Sequence, residues 1–143
     1  MNVLWILLKF VTYIVWLTTP LSILGYTMNM KKYLGLPLVE FETKALLREW
    51  LVTNHAVSPG IWIRIFKVAR GRVSVSFEDL LDQGLCFGWS ESLRHKGDSL
   101  SYYQKFIPRK TKGTTSKRNI DHAHALIKKG AMTKAGLDAL NIK

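Results

Sequence analysis

A long apolar stretch at the start of the chain constrains its fold more than any other feature. Residues 3–26 contain a single charged side chain, Lys9. A transmembrane helix needs about 20 apolar residues, so this stretch is long enough to cross a bilayer. Pro20 would kink such a helix without preventing it from spanning. Lys31 and Lys32 follow at once, and the positive-inside rule then places the C-terminal side in the cytoplasm.

Three interpretations of this apolar segment stay open. It is a membrane anchor, which is the direct interpretation, or a cleaved signal peptide, although it lacks a basic leading region. In the third interpretation it is foreign to the domain, and the native start is Met28 or Met30. We therefore divide the chain into an apolar segment, residues 1–30, and a domain, residues 31–143. We expect a cytoplasmic domain, anchored to the inner membrane under the first interpretation.

Positive charge is concentrated in the last third of the chain. The net charge is +11 over 143 residues, and residues 94–143 hold twelve basic and three acidic side chains. Such an excess of positive charge affects which partners the protein binds and how soluble it is, and it does not indicate a fold. The single cysteine, Cys86, excludes an intrachain disulfide framework and a multi-cysteine zinc site. His122 and His124 are two residues apart on a predicted helix, so they do not form a metal pair. We expect no metal and no cofactor.

Residue patterns in the middle of the domain predict a helix followed by a strand. Apolar residues recur at helical spacing over residues 41–54, and β-branched and aromatic residues alternate over residues 61–68. A second helix is predicted to begin at Ser76, where a capping box starts, and to end near Gly88.

The remainder of the domain is predicted to contain a hairpin and two helices. Residues 92–96 and 101–107 form the hairpin, and Ser116 caps a helix over residues 117–129 that Gly130 ends. Thr133 caps a last short helix. The inner stripe of the longer helix is predicted to be Ile120, Ala123, His124 and Ile127. Short helices with a small, mostly antiparallel sheet make the fold class α+β.

Several short motifs follow one another along residues 41–140. They are Leu47, Trp50, Asn54, His55, Trp62, Leu85 to Trp89, Asp98, Tyr102, Phe106, Pro108 to Lys110, Ser116, Asn119, Gly130, Met132, Thr133, Ala135 and Gly136. Their order and spacing resemble the YdeI/OmpD-associated family, also described as bacteriocin-protection proteins. The resemblance implies a role in envelope stress or bacteriocin resistance, without a defined chemistry. Because family members continue past the last short helix, it also implies that this domain is truncated at its C-terminus.

The motif Cys86-Phe87-Gly88-Trp89 is interpreted as structural. A nucleophilic cysteine needs a lowered pKa from a nearby base or from a helix N-terminus. Cys86 instead lies near the C-terminal end of its predicted helix, where the dipole disfavours a thiolate. We therefore expect it to be buried beside Phe87 and Trp89, and a cysteine-dependent enzyme is the least favoured function.

The basic segment after the hairpin predicts an anion site. Arg109 and Lys110 follow Pro108, which ends a strand with a fixed φ. The helix capped by Ser116 offers unsatisfied N–H donors at its start, and Asn119 is expected to fix the loop. The predicted function is a non-enzymatic stress- or bacteriocin-resistance-type domain that binds a protein partner or an anionic ligand, and these four residues are the predicted site for the anion.

A nucleic-acid-binding module is the alternative function. It would use the basic last third of the chain, and Tyr103 and Lys105 would place an aromatic ring beside a cation if they share one face of a strand. No helix-turn-helix, zinc or RRM signature accompanies these residues. The membrane stays a third kind of partner, through residues 3–26.

Overall fold

The computed structural model describes residues 31–68 and 71–143. The apolar segment, residues 1–30, and with it the predicted membrane anchor, lies outside the described residues. In the described ranges, no helix has both the length and the apolar character needed to cross a membrane.

The described domain contains five strands and four helices. In chain order the described elements are β1 (Lys32–Tyr33), β2 (Leu36–Val39), α1 (Lys44–Asn54), β3 (Ile61–Phe66), α2 (Phe77–Phe87), β4 (Trp89–Lys96), β5 (Ser101–Pro108), α3 (Lys117–Lys128) and α4 (Lys134–Leu140).

The strands form one five-stranded sheet in the order β1-β2-β3-β5-β4. β2 and β3 are parallel and are joined through α1, whereas β1–β2, β3–β5 and β4–β5 are antiparallel. The α+β prediction is therefore confirmed, as is the predicted β4–β5 hairpin. The β1–β2 hairpin was not predicted from the sequence. Its turn is Leu34-Gly35, and both residues have positive φ, +46° and +84°.

The hydrophobic core lies between one face of the sheet and the helices. Ile61, Ile63 and Ile65 of β3 are at most 2% exposed and belong to one buried cluster with α1 and α2. Side chains alternate along a strand, so Trp62 and Arg64 point to the opposite face. That face carries no described helix and is called the open face below. In register with Trp62 and Arg64 on β5 are Lys105 and Tyr103.

Side-chain caps begin the helices where the sequence predicted them. Ser76 and Asp79 form a reciprocal capping box at the start of α2. Ser116 caps α3 and Thr133 caps α4. Gly130, just past the end of α3, has a φ of +67°, the left-handed conformation expected of a residue in this position.

Two local predictions were wrong. The strand predicted over residues 61–68 ends at Phe66, although the N–H of Lys67 still donates to the carbonyl of Leu100 at 2.9 Å, in line with the β3–β5 register. The buried residues of α3 are Ala123 and Leu126, whereas His124 is exposed. The helix is rotated relative to the prediction because its contacts are with α2.

One contact fixes that rotation. His122 Nε2 lies 2.7 Å from a carboxylate oxygen of Asp82 on α2. Residues three apart share a helix face, so a helix that presents residues 123 and 126 to α2 cannot also bury His124.

The hairpin contains an irregularity. Glu91 pairs with Phe106 and Arg94 pairs with Gln104, so β4 has one more residue than β5 between these pairs. This is a β-bulge. After it, Arg94 lies beside Gln104 and contacts the rings of Phe77 and Tyr102.

Candidate functional site

A hollow lined with basic side chains lies where β5 ends and β3 begins. It has a volume of about 380 Å³. Its cations are Lys105, Arg109 and Lys110, and no carboxylate is among its lining residues. Its apolar wall consists of Leu34, Leu36, Pro59, Ile107 and Pro108.

A second, smaller hollow continues the groove on the other side of Arg109 and Lys110. Its volume is about 190 Å³. It shares Ile107, Pro108, Arg109 and Lys110 with the first hollow. The side chains it adds are hydroxyls, those of Ser90, Thr111 and Thr114. Arg109 and Lys110 therefore stand between an apolar wall and a hydroxyl-lined wall, and we call the two hollows together the basic groove.

The backbone holds Arg109 at a defined position. Pro108 ends β5 opposite Trp89, and its ring fixes φ. The next N–H, that of Arg109, donates to the carbonyl of Gly88 at 2.9 Å. Nε of Arg109 is buried and has no hydrogen-bond partner among the described residues. A buried donor without an acceptor costs about 1–3 kcal/mol.

Gly60 forms part of the wall between β3 and β5. Its φ is +136°, and a Cβ at this position would lie 2.6 Å from Cγ2 of Ile107 and 3.1 Å from the carbonyl oxygen of Phe106. Both the backbone conformation and the close approach favour glycine. Ile107 can line the groove because nothing larger than hydrogen occupies that space.

The loop that closes the hydroxyl-lined side is packed on α4. Gly113 has a φ of +71°, and its N–H donates to the carbonyl of Ala139 at 3.0 Å. The hydroxyl of Thr114 donates to the carbonyl of Thr111 at 3.2 Å. The loop is thus fixed to the body of the domain, which keeps the spacing of its hydroxyls from Lys110.

Comparison with known proteins assigns a family. A family model described as a domain of unknown function, DUF8412, matches residues 39–139. The chain belongs to the DUF8412 family. No curated protein and no solved structure matches the chain. The DUF8412 match begins after Leu34 and Leu36, so this apolar part of the groove lies outside it, whereas Arg109 and Lys110 lie inside. Nothing in the match connects the chain with the YdeI/OmpD-associated family, and that resemblance stays a prediction.

The four residues predicted for the anion site occupy two places in the DUF8412 domain. Arg109 and Lys110 line the groove together, but Ser116 and Asn119 are not among its lining residues. The hydroxyl oxygen of Ser116 accepts the N–H of Asn119 at 3.2 Å and serves as the cap of α3. Among the described residues, this bond from the N–H of Asn119 to Ser116 is the only hydrogen bond between Asn119 and a side chain.

The Cys86-Phe87-Gly88-Trp89 motif joins α2 to α1 and α4. Cys86 is buried, as predicted, and burial is the main cause that raises the pKa of its thiol. Its carbonyl accepts both the N–H and the hydroxyl of Thr133, at 3.1 and 2.6 Å. Gly88 ends α2 with a φ of +73°, and Trp89 Nε1 donates to the carbonyl of His55 at 3.2 Å. The thiol is neutral and enclosed, so the motif contributes packing rather than a nucleophile.

Polar contacts that the sequence did not indicate hold the three longer helices together. Asp82 on α2 accepts from Lys44 on α1 at 2.7 Å and contacts His122 on α3. The hydrogen bond with Asp82 is the first cause of the raised pKa of Lys44. Arg48 on α1 donates to Gln83 and to the carbonyl of Ala131. These residues are far apart in sequence, so no local pattern could have paired them.

The open face of the sheet carries a cluster of rings. The ring of Tyr33 lies 5.1 Å from that of Trp62 and 4.9 Å from that of Tyr103. The Tyr33 hydroxyl lies 3.1 Å from Nδ1 of His95. Trp62 is 1% exposed, and its Nε1 has no hydrogen-bond partner among the described residues. Lys105 is paired with Trp62, so the predicted neighbourhood of Tyr103 and Lys105 on one face is confirmed.

Acidic groups lie at the other end of the open face. Arg64 contacts Glu40 at 2.9 Å and also contacts Asp98. A hydrogen bond from Ser101 is the first cause of the lowered pKa of Asp98. The two ends of the open face therefore differ in charge. Carboxylates paired with Arg64 lie near Phe66, and cations lie at the end next to the groove. In the described ranges no three His, Cys, Asp or Glu side chains gather as a metal site.

Proposed function

We propose that the domain binds an anionic group, a phosphate or carboxylate carried on a partly apolar molecule, in the basic groove. The observation that carries this proposal is that Lys105, Arg109 and Lys110 line one groove without a carboxylate among the lining residues. Cations gathered in a concave surface raise the local concentration of anions. Binding rather than catalysis is proposed because the single thiol is buried and serves packing.

The two walls define which anion fits. Arginine binds the planar oxygens of carboxylate and phosphate with paired hydrogen bonds, and lysine adds a point charge. The wall that contains Leu36, Pro59 and Ile107 favours an apolar body next to the charged group. Each methylene buried there contributes up to about 0.8 kcal/mol, which is about fourfold in affinity.

Titration with small phosphates tests the proposal. The full chain in neutral detergent is titrated with inorganic phosphate and with butyl phosphate, and heat is measured by calorimetry. We expect saturable binding of both, tighter for butyl phosphate. Arg109→Gln and Lys110→Gln are each expected to weaken binding by a factor of about 10 to 150, because a hydrogen bond to a charged group contributes about 1.5–3 kcal/mol.

A charge-matched control separates the groove from the general charge of the domain. Lys129 lies exposed after α3 and outside the groove, and Lys129→Gln removes the same charge. Its affinity should stay within twofold of the unmodified chain. Equal losses in Lys129→Gln and Lys110→Gln would contradict a local site.

Single-stranded nucleic acid is a second candidate ligand, favoured by the rings of the open face. Tyr33, Tyr103 and His95 are each part-exposed beside Lys105, and bases stack on such rings. Two observations make nucleic acid the second candidate rather than the first. The rings contact one another rather than presenting free faces, and Arg64 is already paired with Glu40.

Salt dependence distinguishes the two ligands. A strand bound along the open face would neutralise several phosphates, and its affinity would fall steeply with salt. The groove neutralises one phosphate group, so its salt slope is shallow. An oligonucleotide titration that Tyr103→Ala weakens, and that Arg109→Gln leaves unchanged, would favour nucleic acid over the groove.

The cellular role stays at the level of the sequence resemblance. A non-enzymatic binding domain is consistent with the stress- or bacteriocin-resistance role that the resemblance implies. We propose this role together with a cytoplasmic domain anchored to the inner membrane.

A further inference from the structure

The turn between β1 and β2 presents an apolar side chain to solvent in an unfavourable backbone conformation. Leu34 is 67% exposed and has a φ of +46°. A two-residue turn with positive φ at both positions normally contains Asn-Gly or Asp-Gly. A leucine there is unfavourable both for the backbone and for its contact with water. A surface that takes up this side chain would offset both costs.

Further exposed residues extend this apolar tip at the same end of the molecule. Pro59 lines the groove with Leu34, and Val57, two residues before it, is 79% exposed. β3 begins directly after this loop, so all three lie near the N-terminal end of β3. An apolar patch surrounded by polar residues marks an interaction surface.

Cations surround the apolar tip. Lys31 and Lys32 are exposed, and Tyr33 alone separates Lys32 from the turn. Lys105, Arg109 and Lys110 line the groove behind it. The carboxylates Glu40 and Asp98 are paired with Arg64 at the far end of the sheet. An apolar tip within a ring of cations matches an anionic lipid surface, where acyl chains lie beneath negative headgroups.

We propose that this end of the domain docks on the surface of a bilayer that contains anionic lipid, with Leu34 in the interface and a lipid phosphate in the basic groove. The proposal rests on the proposed function, because the groove cations are part of the same surface. The position of the apolar segment, just before the described domain, supports this proposal. The apolar segment, residues 3–26, ends five residues before Lys31, and the described domain begins three residues before Leu34, the proposed lipid-facing residue.

A fluorescent probe at position 34 tests the docking. Because Cys86 is buried, a cysteine added at an exposed position is labelled selectively. Leu34→Cys in the full chain is labelled with an environment-sensitive dye and placed in nanodiscs of phosphatidylcholine, with and without phosphatidylglycerol. We expect a blue-shifted emission, and quenching by doxyl-labelled lipid, in the discs with phosphatidylglycerol.

Val73→Cys is the matched control. Val73 is 74% exposed and adjoins Ser74, which accepts the N–H of Phe66 at the C-terminal end of β3. The six residues of β3 separate the two probes by about 20 Å. The dye at position 73 should stay water-exposed and unquenched in both kinds of disc.

Each alternative outcome has a defined consequence. Equal lipid quenching at position 34 with and without phosphatidylglycerol would overturn the role of the cations and leave a simple tether. A blue shift without lipid quenching would mean that a second copy of the chain covers the turn. A water-exposed dye at position 34 in both discs would overturn docking, and the groove would still stand if phosphate titration succeeds. Docking without binding of free phosphate would contradict the proposed function and the placement of a lipid phosphate in the groove, and would leave docking through Leu34 alone.

Discussion

At the scale of single residues, the shape of the groove depends on two glycines and on a hydrogen bond that fixes the backbone of an arginine. Gly60 lets β3 approach Ile107, and Gly88 ends α2 in the left-handed conformation directly before β4. The backbone of Gly88 then accepts the N–H of Arg109. The binding residues and the packing motif are thus in direct contact, which explains why two motifs 20 residues apart can form one structural unit.

Gly60→Ala is expected to destabilise the domain and to distort the groove. Alanine at a φ of +136° with its Cβ 2.6 Å from Ile107 should cost about 1–3 kcal/mol. Urea unfolding followed by circular dichroism measures that loss. Gly71→Ala is the comparison, since Gly71 also has a positive φ, +69°, but no atom lies within 4 Å of its Cβ position. A loss no larger in Gly60→Ala than in Gly71→Ala would contradict the steric argument.

At the scale of elements, each helix start has its own side-chain acceptor. Thr43, Ser76, Ser116 and Thr133 all accept an N–H from the first turn of the helix that follows. The α2 cap differs because Asp79 also accepts the N–H of Ser76 at 2.9 Å. α2 packs on β4 and on the other three helices, so its first turn has consequences beyond its own length.

Ser76→Ala is expected to lower the free energy of unfolding by about 1 kcal/mol. The substitution removes the acceptor of the Asp79 N–H, now at 3.1 Å. Ser76→Asn restores an acceptor and should recover most of the loss. Chemical denaturation of the three chains gives the comparison. If the asparagine variant were as unstable as the alanine variant, the cap would not be the cause.

At the scale of the whole molecule, one face of the sheet is covered by helices and the other by long and aromatic side chains. Trp62 is buried beneath Tyr33 and His95 without any described helix above it. The described residues therefore bury this tryptophan among themselves. The division of the chain into an apolar segment and a domain stays a prediction.

A chain that starts at Met30 is expected to fold cooperatively. The described helices and strands all lie after this residue, and all of them except β1 contribute residues to one buried cluster. Thermal melting followed by circular dichroism is the measurement. A broad, non-cooperative transition would show that residues 1–29 belong to the core and that the boundary is wrong.

Local signals account for the parts of the structure that the sequence predicted. Ser76, Ser116 and Thr133 act within one helical turn, and the β4–β5 hairpin joins neighbours in the sequence. The β1–β2 turn escaped prediction because leucine stands at position 34, where Asn or Asp normally precedes the turn glycine. The parallel pairing of β2 with β3 requires a crossover through α1. The rotation of α3 depends on Asp82, forty residues before His122.

The candidate site was predicted only in part for the same reason. Arg109 and Lys110 are adjacent in the sequence and next to Pro108, so their charge was visible. The apolar wall comes from the β1–β2 turn and from the loop before β3, and the hydroxyls come from β4 and a later loop. Only the sheet brings these segments together, and no spacing along the chain indicates it.

The bulge in β4 has a consequence for how copies of this chain meet. β4 is an edge strand, and an exposed edge invites pairing with the edge of another molecule and hence aggregation. The extra residue between Glu91 and Arg94 interrupts the regular ladder, and Arg94 and Lys96 add charge along it. At the opposite edge β1 has two residues, too few to guide another strand. Both ends of the sheet therefore resist growth, which keeps a basic, aromatic-rich sheet from becoming a template for fibrils.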